Sequence, residues 1–156
     1  MTIVSCGMIV RSPDGMLLAH ATYTPRWDIP KGRLEDNETP LNAALRECFE
    51  ETNLDLFEHT AAIVDLGQHS YIRGKDLHLF VLDLPEALNL DDCRCHTLIE
   101  QNGKIFPETD RWEWVAFDQV LNKVGKGLGN LLIAHNVVPD PGKNWWNERQ
   151  KKAALR

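Results

Sequence analysis

Four charged side chains lie close together in the sequence RECFEE, which runs from Arg46 to Glu51. If this segment is helical, residues three and four apart are neighbours on its surface, so Glu47, Glu50 and Glu51 present their carboxylates together. Adjacent acids repel one another, and two arrangements relieve that repulsion. Either the acids point into water, or their hard oxygen atoms hold a divalent cation such as Mg²⁺.

The residues around this cluster follow a longer pattern. Gly32 is followed after five residues by Glu38, and seven residues later Arg46 and Glu47 begin the run that ends in Leu54. The pattern resembles the signature of the Nudix hydrolases, in which a glycine, a glutamate, Arg-Glu and Glu-Glu stand at these offsets. The chain departs from that signature at two positions, where Cys48 replaces a larger aliphatic residue and Asn53 replaces a glycine.

Both departures are chemically mild. Cys48 packs as a small apolar side chain. Asn53 follows the predicted helix, where a left-handed residue is needed, and asparagine tolerates that conformation best after glycine.

The resemblance implies a fold, an activity and a set of ligands. The fold is an α/β/α sandwich with a mixed β-sheet and the signature helix on one face. The activity is hydrolysis of a phosphoanhydride bond in a nucleoside diphosphate linked to another moiety, with Mg²⁺ or Mn²⁺ as cofactor. Arg46 orients a carboxylate in the catalytic set, next to Glu47 and Glu50. The implied metal ligands are Glu47, Glu50, Glu51, the carbonyl of Gly32 and, in an outer shell or for an extra cation, Glu38.

A further acid is needed to take a proton from water or to complete the metal shell. In many Nudix relatives it comes from a loop beyond the central sheet, and the candidates here are Glu108 and Glu113 in PETDRWEWV. Glu113 alternates with two tryptophans in a predicted strand, and the alternative is that it only faces solvent. Because a strand holds a side chain more firmly than a loop does, we expect Glu113→Gln to cost more activity than Glu108→Gln.

Residues that flank the signature are candidate contacts to substrate. The basic side chains among them would hold terminal phosphates, although surface lysines and arginines usually have no such role. Trp27 could shape the site, and it is explained equally well as part of the core. The segment WDIPKG resembles the one that precedes the signature in Nudix enzymes that cleave dinucleoside polyphosphates. The candidates are Arg26, Trp27, Lys31 and Arg33.

We therefore expect a nucleotide with three or more phosphates as substrate, such as a dinucleoside polyphosphate. Two alternatives stay open. One is an RNA 5′-pyrophosphohydrolase, and the other is a catalytically weak Nudix-like module that binds a nucleotide or regulates without turnover, which the Asn53 departure allows.

Composition and charge fit a globular domain. The chain has 156 residues, of which 43% are hydrophobic and 26% charged, enough for one core. Its net charge of −6 argues against a general nucleic-acid binder, but a bound cation makes local acids attract polyphosphate. No apolar run is long enough to span a membrane, and the spacing of the four cysteines suggests reduced thiols in the cytoplasm. The expected partner is a small nucleotide, and a homodimer stays open.

Turn residues and periodicity predict the elements. A hairpin is expected over residues 3–22, and a helix after Thr39 and Pro40, which suit the N-cap and first helical position. Residues 56–72 are expected to be extended, most clearly at 61–66, and 77–84 to form a central strand. Further expectations are a hairpin at 102–104, a loop at 107–111, a strand at 112–117, and helices at 119–124 and 130–135.

The last residues differ in composition from the rest. We expect a Nudix hydrolase domain over residues 1–138 and a C-terminal tail over 139–156. The tail carries Trp145 and Trp146 before several basic residues, which favours a terminal helix docked by its tryptophans. Partial disorder is the alternative.

Overall fold

The computed structural model describes residues 2–155, which form a mixed β-sheet with helices packed on both of its faces. The helices are α1 (Pro40–Thr52), α2 (Lys126–Ala134) and α3 (Trp145–Ala154), with short 3₁₀ helices at Phe57–Ala62 and Phe117–Asn122. The strands are β1 (Ile3–Ser12), β2 (Gly15–Ala21), β3 (Trp27–Asp28), β4 (Lys31–Arg33), β5 (Val64–Ile72), β6 (Lys75–Asp83), β7 (Leu98–Gln101), β8 (Lys104–Pro107) and β9 (Thr109–Val115).

The main sheet has seven strands in the order β3-β2-β1-β6-β5, with β4 paired to β1 and β9 paired to β2. Strands β1 and β6 run parallel, and the other pairings in this sheet are antiparallel. The strands β7 and β8 form a separate hairpin, closed by the predicted turn at Asn102 and Gly103. The mixed sheet predicted from the sequence is therefore confirmed.

Alternation along the central strands divides the core into two layers. In β1, Met8 and Val10 point toward the layer that contains α1, whereas Ile9 points toward the layer that contains α2. In β6, Phe80 and Leu79 divide in the same way. A strand buried on both faces reads as a continuous apolar run, which is why the sequence located β6 correctly. The predicted sandwich, with the signature helix on one face, is confirmed.

Helix α1 begins and ends as its sequence predicts. The Thr39 hydroxyl accepts a hydrogen bond from the Asn42 amide at 3.2 Å, and Pro40 occupies the first helical position. Leu45 and Cys48 lie on its buried stripe. At the far end, Asn53 adopts φ of +68°, and its backbone N–H donates to the Phe49 carbonyl. Asparagine thus takes the left-handed role expected at this position.

Two predictions about residues 56–72 and 107–117 are wrong in part. Residues 57–62 form a 3₁₀ helix rather than a strand, because the Asp55 carboxylate accepts from the Phe57 amide and starts a turn. Strand β9 already begins at Thr109, inside the segment expected to be a loop, because Thr109 and Arg111 pair with β2. Long-range pairing stabilised polar residues that locally favour a turn.

The helices near the C-terminal end also differ from the prediction. The segment expected to be a helix at 119–124 is a 3₁₀ helix that starts at Phe117. Helix α2 begins at Lys126 instead of residue 130, so Gly127 and Gly129 lie inside it. A Cβ atom on Gly127 would overlap the backbone carbonyl of Tyr71, so glycine is required where α2 packs against β5.

Residues of the tail form α3, which contacts α2. Trp145 is buried, and its indole N–H donates to the Asn130 side chain at 2.9 Å. The Arg149 guanidinium lies over the Trp146 ring, 4.9 Å from its centre. No helix among residues 2–155 is long and apolar enough to cross a membrane.

Candidate active site

Gly32 brings the strand β4 against the helix α1. Pairing of Cys6 with Gly32 fixes β4 beside β1, and helix α1 packs above it. A Cβ atom on Gly32 would overlap the carboxylate of Glu47, which would then have to move, so the absence of a side chain lets the two groups lie this close. The contact places the backbone of residue 32 directly beside a candidate metal ligand. Coordination by the Gly32 carbonyl stays a prediction.

Arg46 is the centre of a network of carboxylates on the exposed side of α1. Its guanidinium donates to Glu38 at 2.7 and 3.0 Å, to Glu47 at 2.8 Å and to Glu50 at 3.3 and 3.4 Å. It also donates to the Arg33 carbonyl at 3.0 Å. The hydrogen bond from Arg46 lowers the pKa of Glu38. One planar guanidinium thus holds three carboxylates, which is compatible with the orienting role predicted for Arg46.

Glu51 lies apart from that network and is only 5% exposed. One of its carboxylate oxygens accepts from the Lys31 amide at 3.0 Å. Burial raises its pKa well above the usual value, and the nearby charge of Glu108 raises it further. Burial also raises the pKa of Glu47, although Arg46 opposes that effect. Without a bound cation, the ionised forms of Glu47 and Glu51 are therefore energetically unfavourable.

The backbone carbonyl of Glu51 connects α1 to β9. It accepts hydrogen bonds from the Thr109 hydroxyl at 2.7 Å and from the Trp112 indole at 2.8 Å. These bonds hold the start of β9 at the end of the signature helix. Glu108, the residue before β9, is thereby brought close to Glu51.

The two distal acids occupy different environments. Glu108 lines the same cavity as Glu51, accepts a hydrogen bond from the Thr97 hydroxyl at 3.1 Å, and raises the pKa of both Glu51 and Glu47 through its charge. Glu113 is exposed and lies 3.7 Å from the Lys123 ammonium. The structure therefore brings Glu108 to the signature acids, and Glu113 lies outside the residues that line this cavity.

A cavity of about 320 Å³ opens next to Glu51 and Glu108. Three of the four residues predicted to contact substrate line it, namely Arg26, Trp27 and Lys31, whereas Arg33 is exposed and does not. Sequence reasoning missed other polar and aromatic lining residues. Asp28 could have been identified because it lies three residues before Lys31. Tyr71 and Lys126 could not, because only the folded structure brings their segments to the cavity. The missed residues are Asp28, Tyr71, Thr109 and Lys126.

Trp27 is half-buried and surrounded by cationic groups. The Lys123 ammonium lies 4.6 Å from its ring centre and the Arg111 guanidinium 5.5 Å. The His20 ring is 5.1 Å away. Trp27 also packs against the buried core, so both sequence interpretations of this residue, core and cavity wall, apply. Its ring holds two basic side chains near the cavity.

The donor chemistry of the site suits a hard divalent cation. The carboxylates supply oxygen ligands. Burial and, to a smaller extent, neighbouring acids raise the pKa values of Glu47 and Glu51, and a bound cation would favour their ionised forms. As the side chains stand in residues 2–155, no three His, Cys, Asp or Glu residues are gathered closely enough to hold an ion. Arg46 holds Glu47 and Glu50 in its own network, so coordination requires them to turn from Arg46.

Comparison with known proteins identifies the family. The family model of the NUDIX domain matches residues 1–134. The chain is 36% identical over 134 residues to an uncharacterized 17.7 kDa protein of Enterobacteria phage T4, covering 81% of this chain and 82% of that protein. It is 30% identical over 133 residues to an RNA pyrophosphohydrolase of Psychrobacter sp., covering 76% and 72%.

A solved structure shows the same fold. The Ap4A hydrolase of C. elegans superimposes with a TM-score of 0.60 at 22% identity, over 87% of this chain and 96% of that one. Nudix hydrolases generally use divalent metal ions. The signature geometry, the mixed sheet and the family match agree, and the chain belongs to the Nudix family of pyrophosphohydrolases.

Proposed function

We propose that this protein hydrolyses a phosphoanhydride bond in a nucleotide with three or more phosphates, such as a dinucleoside polyphosphate, with Mg²⁺ or Mn²⁺ as cofactor. One observation carries the proposal: the carboxylates of Glu51 and Glu108 share a cavity with the basic residues Arg26, Lys31 and Lys126. Acids suit a cation, and basic side chains suit phosphate oxygens, so the cavity combines both requirements of phosphoanhydride chemistry.

The proposed metal ligands are Glu47, Glu50 and Glu51, with Gly32 and Glu38 in supporting positions. When bound, the cation neutralises charge on the phosphate and lowers the pKa of a water molecule. To hold a cation, Glu47 and Glu50 would have to turn from Arg46, which could keep its bond to Glu38, 2.7 Å long. The Lys31 amide, which donates to the Glu51 carboxylate, would orient that ligand.

Glu108 is the proposed acceptor for the proton of the attacking water. It lies beside Glu51, and the Thr97 hydroxyl and the cavity wall orient it. Glu113 remains the second candidate for this role. Glu113 instead pairs with Lys123, whose ammonium lies over the Trp27 ring, so it partly offsets the positive charge there.

Lys31 and Arg26 are the proposed contacts to the phosphate chain. The Lys31 ammonium lies 3.4 Å from Asp28, whose negative charge raises the pKa of Lys31 and keeps it protonated. Arg26 is exposed at the cavity. Arg33, the remaining candidate, lies outside the cavity and would meet only a substrate that extends beyond it. Two or three cations favour a long phosphate chain over a single pyrophosphate.

RNA 5′ ends are a second candidate substrate. The relative of Psychrobacter sp. that is 30% identical is named an RNA pyrophosphohydrolase. The net charge of −6 gives little attraction for an RNA backbone, but Arg111 and Lys123 beside Trp27 extend the basic lining outward. A nucleotide-binding module without turnover is a third possibility. A cytoplasmic location and the oligomeric state stay predictions.

A substrate panel tests the proposal. Diadenosine tetraphosphate, ADP-ribose and a 5′-triphosphate RNA are compared for kcat/KM under one set of conditions, with Mg²⁺ and with Mn²⁺, and the products are identified by mass spectrometry. The proposal predicts the highest kcat/KM for diadenosine tetraphosphate. A tenfold preference for ADP-ribose, equal to about 1.4 kcal/mol in transition-state binding, contradicts it.

The same panel separates the alternatives. A preference for the RNA establishes the second candidate. Nucleotide binding without turnover of any substrate establishes the module without activity. The Glu51→Gln variant serves as the control for contaminating hydrolases, because it removes a proposed ligand and keeps the shape of the side chain.

A further inference from the structure

The segment 91–97 covers the C-terminal end of helix α1. The Arg94 amide donates to the Thr52 carbonyl at 3.2 Å, and the His96 amide donates to the Glu50 carbonyl at 2.6 Å. These carbonyls belong to the last turn of the helix, whose oxygen atoms lack partners within the helix itself. The segment therefore supplies backbone donors to the end of the signature helix.

The side chain of Asn53 adds two bonds to the same contact. Its amide nitrogen donates to the Asp92 carbonyl at 3.2 Å, and its amide oxygen lies 2.8 Å from the His96 ring nitrogen. The His96 ring stacks on Phe49, with ring centres 4.9 Å apart and planes 17° apart. A glycine at position 53 would adopt the same backbone conformation but make neither bond. The asparagine therefore does more than replace the glycine of the signature.

The segment continues directly into contacts with Glu108. The Thr97 carbonyl accepts from the Glu108 amide at 3.0 Å, and the Thr97 hydroxyl donates to the Glu108 carboxylate at 3.1 Å. His96 and Thr97 are adjacent, so the residue that contacts Asn53 immediately precedes the one that holds Glu108. A continuous set of hydrogen bonds thus runs from the end of the signature helix to the acid beside Glu51.

We propose that Asn53 is a positioning residue, which docks the segment 91–97 on the end of α1 and thereby fixes Glu108 next to Glu51. The inference rests on the proposed function of Glu108. Asn53 touches neither the cavity nor the acids through its side chain, so its effect on catalysis passes through His96 and Thr97.

The test compares two asparagines of the same backbone type. Asn53 and Asn136 both follow a helix and both have positive φ, of 68° and 57°. Within residues 2–155 the Asn136 side chain makes no hydrogen bond to another residue. Replacement by glycine removes the side chain and relaxes the backbone at each position. Asn136→Gly is therefore the matched control for Asn53→Gly.

Amide hydrogen exchange of the metal-free protein gives a readout independent of activity. In Asn53→Gly we expect exchange at the amides of Arg94, His96 and Glu108 to accelerate together by about tenfold, the scale expected when one or two hydrogen bonds are lost. The amide of residue 53 itself, which caps the helix, is expected to be unchanged. Asn136→Gly leaves all these rates unchanged.

Faster exchange at Arg94 and His96 without a change at Glu108 would overturn the proposal, as would no change at any of the three. This result holds whether or not the protein hydrolyses the substrates tested, so it is separate from a failure of the proposed function. Asn53→Asp keeps the oxygen that faces His96 but loses the donor to Asp92, and we expect an intermediate acceleration.

Kinetics provide the second readout. We expect Asn53→Gly to lower kcat by about tenfold with KM unchanged, because a displaced catalytic group slows the reaction without weakening substrate binding. In a Glu108→Gln background the same change should have no further effect on kcat. Independent, multiplicative losses in the double variant would show that Asn53 does not act through Glu108.

Discussion

The acids of this site fall into two groups that differ in how their charge is compensated. The Arg46 group consists of Glu38, Glu47 and Glu50, which share one guanidinium at the surface of α1. The cavity pair consists of Glu51, which is buried, and Glu108, which is half-buried, and both residues line the cavity. In residues 2–155 no basic side chain lies within ion-pair distance of either member of the cavity pair. Burial raises the pKa of Glu51, and the backbone N–H and the charge of Lys31 oppose that effect only in part. The cavity pair is therefore less fully compensated than the Arg46 group.

The two groups of glutamates therefore differ in role: one stabilises the structure, and the other suits chemistry. Acids around Arg46 stabilise the loop before α1, since the network connects the helix to Glu38 and to the carbonyl of Arg33. Glu51 of the cavity pair raises the energy of the folded protein instead, because burial and the like charge of Glu108 both oppose its ionisation. Natural proteins accept such a cost mainly at functional sites. A bound cation is therefore expected to stabilise the folded protein most at the cavity pair.

The largest expected effect comes from removal of divalent cations. Excess chelator should abolish hydrolysis, because the carboxylates alone cannot neutralise charge on the reacting phosphate or lower the pKa of the attacking water. The measurement is the steady-state rate with and without chelator, with circular dichroism to show that the fold is retained. Full activity in excess chelator would end the metal hypothesis.

Glu51→Gln should have the next largest effect. We expect kcat to fall by roughly a thousandfold, because a proposed ligand of the cation that stabilises transition-state charge is lost. In metal-free buffer the same change should raise the free energy of unfolding by about 1 kcal/mol, since an unfavourable buried charge is removed. Urea denaturation measures this change.

Glu113→Gln is the control for that stability measurement, because Glu113 is exposed and paired with Lys123. Its free energy of unfolding should change by less than about 0.5 kcal/mol. If Glu51→Gln destabilises the metal-free protein, the idea that the charge of Glu51 is poorly compensated is wrong.

The comparison of Glu108→Gln with Glu113→Gln decides between the two distal acids. We now expect kcat to fall by roughly a hundredfold for Glu108→Gln and by less than about threefold for Glu113→Gln. The reason is position: Glu108 belongs to the cavity pair, whereas Glu113 contacts Lys123 outside the cavity. Steady-state rates of both variants measure the effect. A larger loss for Glu113→Gln would restore the ranking derived from the sequence.

The smallest expected effect concerns the Arg46 group. Arg46→Lys keeps the positive charge but cannot form a planar fork, so we expect the metal-free free energy of unfolding to fall by roughly 1–2 kcal/mol. Arg11 forms a similar fork with Asp83 at the surface, at 2.6 and 2.9 Å, and Arg11→Lys should cost less than about 1 kcal/mol. Equal losses would show that the network at Arg46 contributes no more than a surface ion pair.

Local patterns predicted the elements on which the site is built. The caps Thr39 and Asn53 defined α1, and the continuous apolar run defined β6, because caps and burial patterns act over a few residues. The signature acids were found for the same reason, since their neighbours lie one helical turn away. The Nudix fold and enzyme class followed from these residues.

The position of Glu108 depends on distant segments and was not predictable in this way. Strand rigidity favoured Glu113, but β9 begins earlier than the sequence suggests. Glu108 accepts a hydrogen bond from the Thr97 hydroxyl, and the next residue, Thr109, bonds to the Glu51 carbonyl. Pairing of β9 with β2 and the bonds to Glu51 decide this geometry. No periodicity in the local sequence reports contacts of that kind.

The connection between Glu51 and Thr109 has a consequence during protein synthesis. These residues are 58 positions apart, so the signature helix leaves the ribosome well before the strand that completes its site. At roughly 5–20 residues per second, the delay is about 3–12 s. During that interval the nascent chain carries the signature acids without Glu108 and without the bonds that hold it. A hydrolase built in this order becomes competent only when most of its chain has been translated.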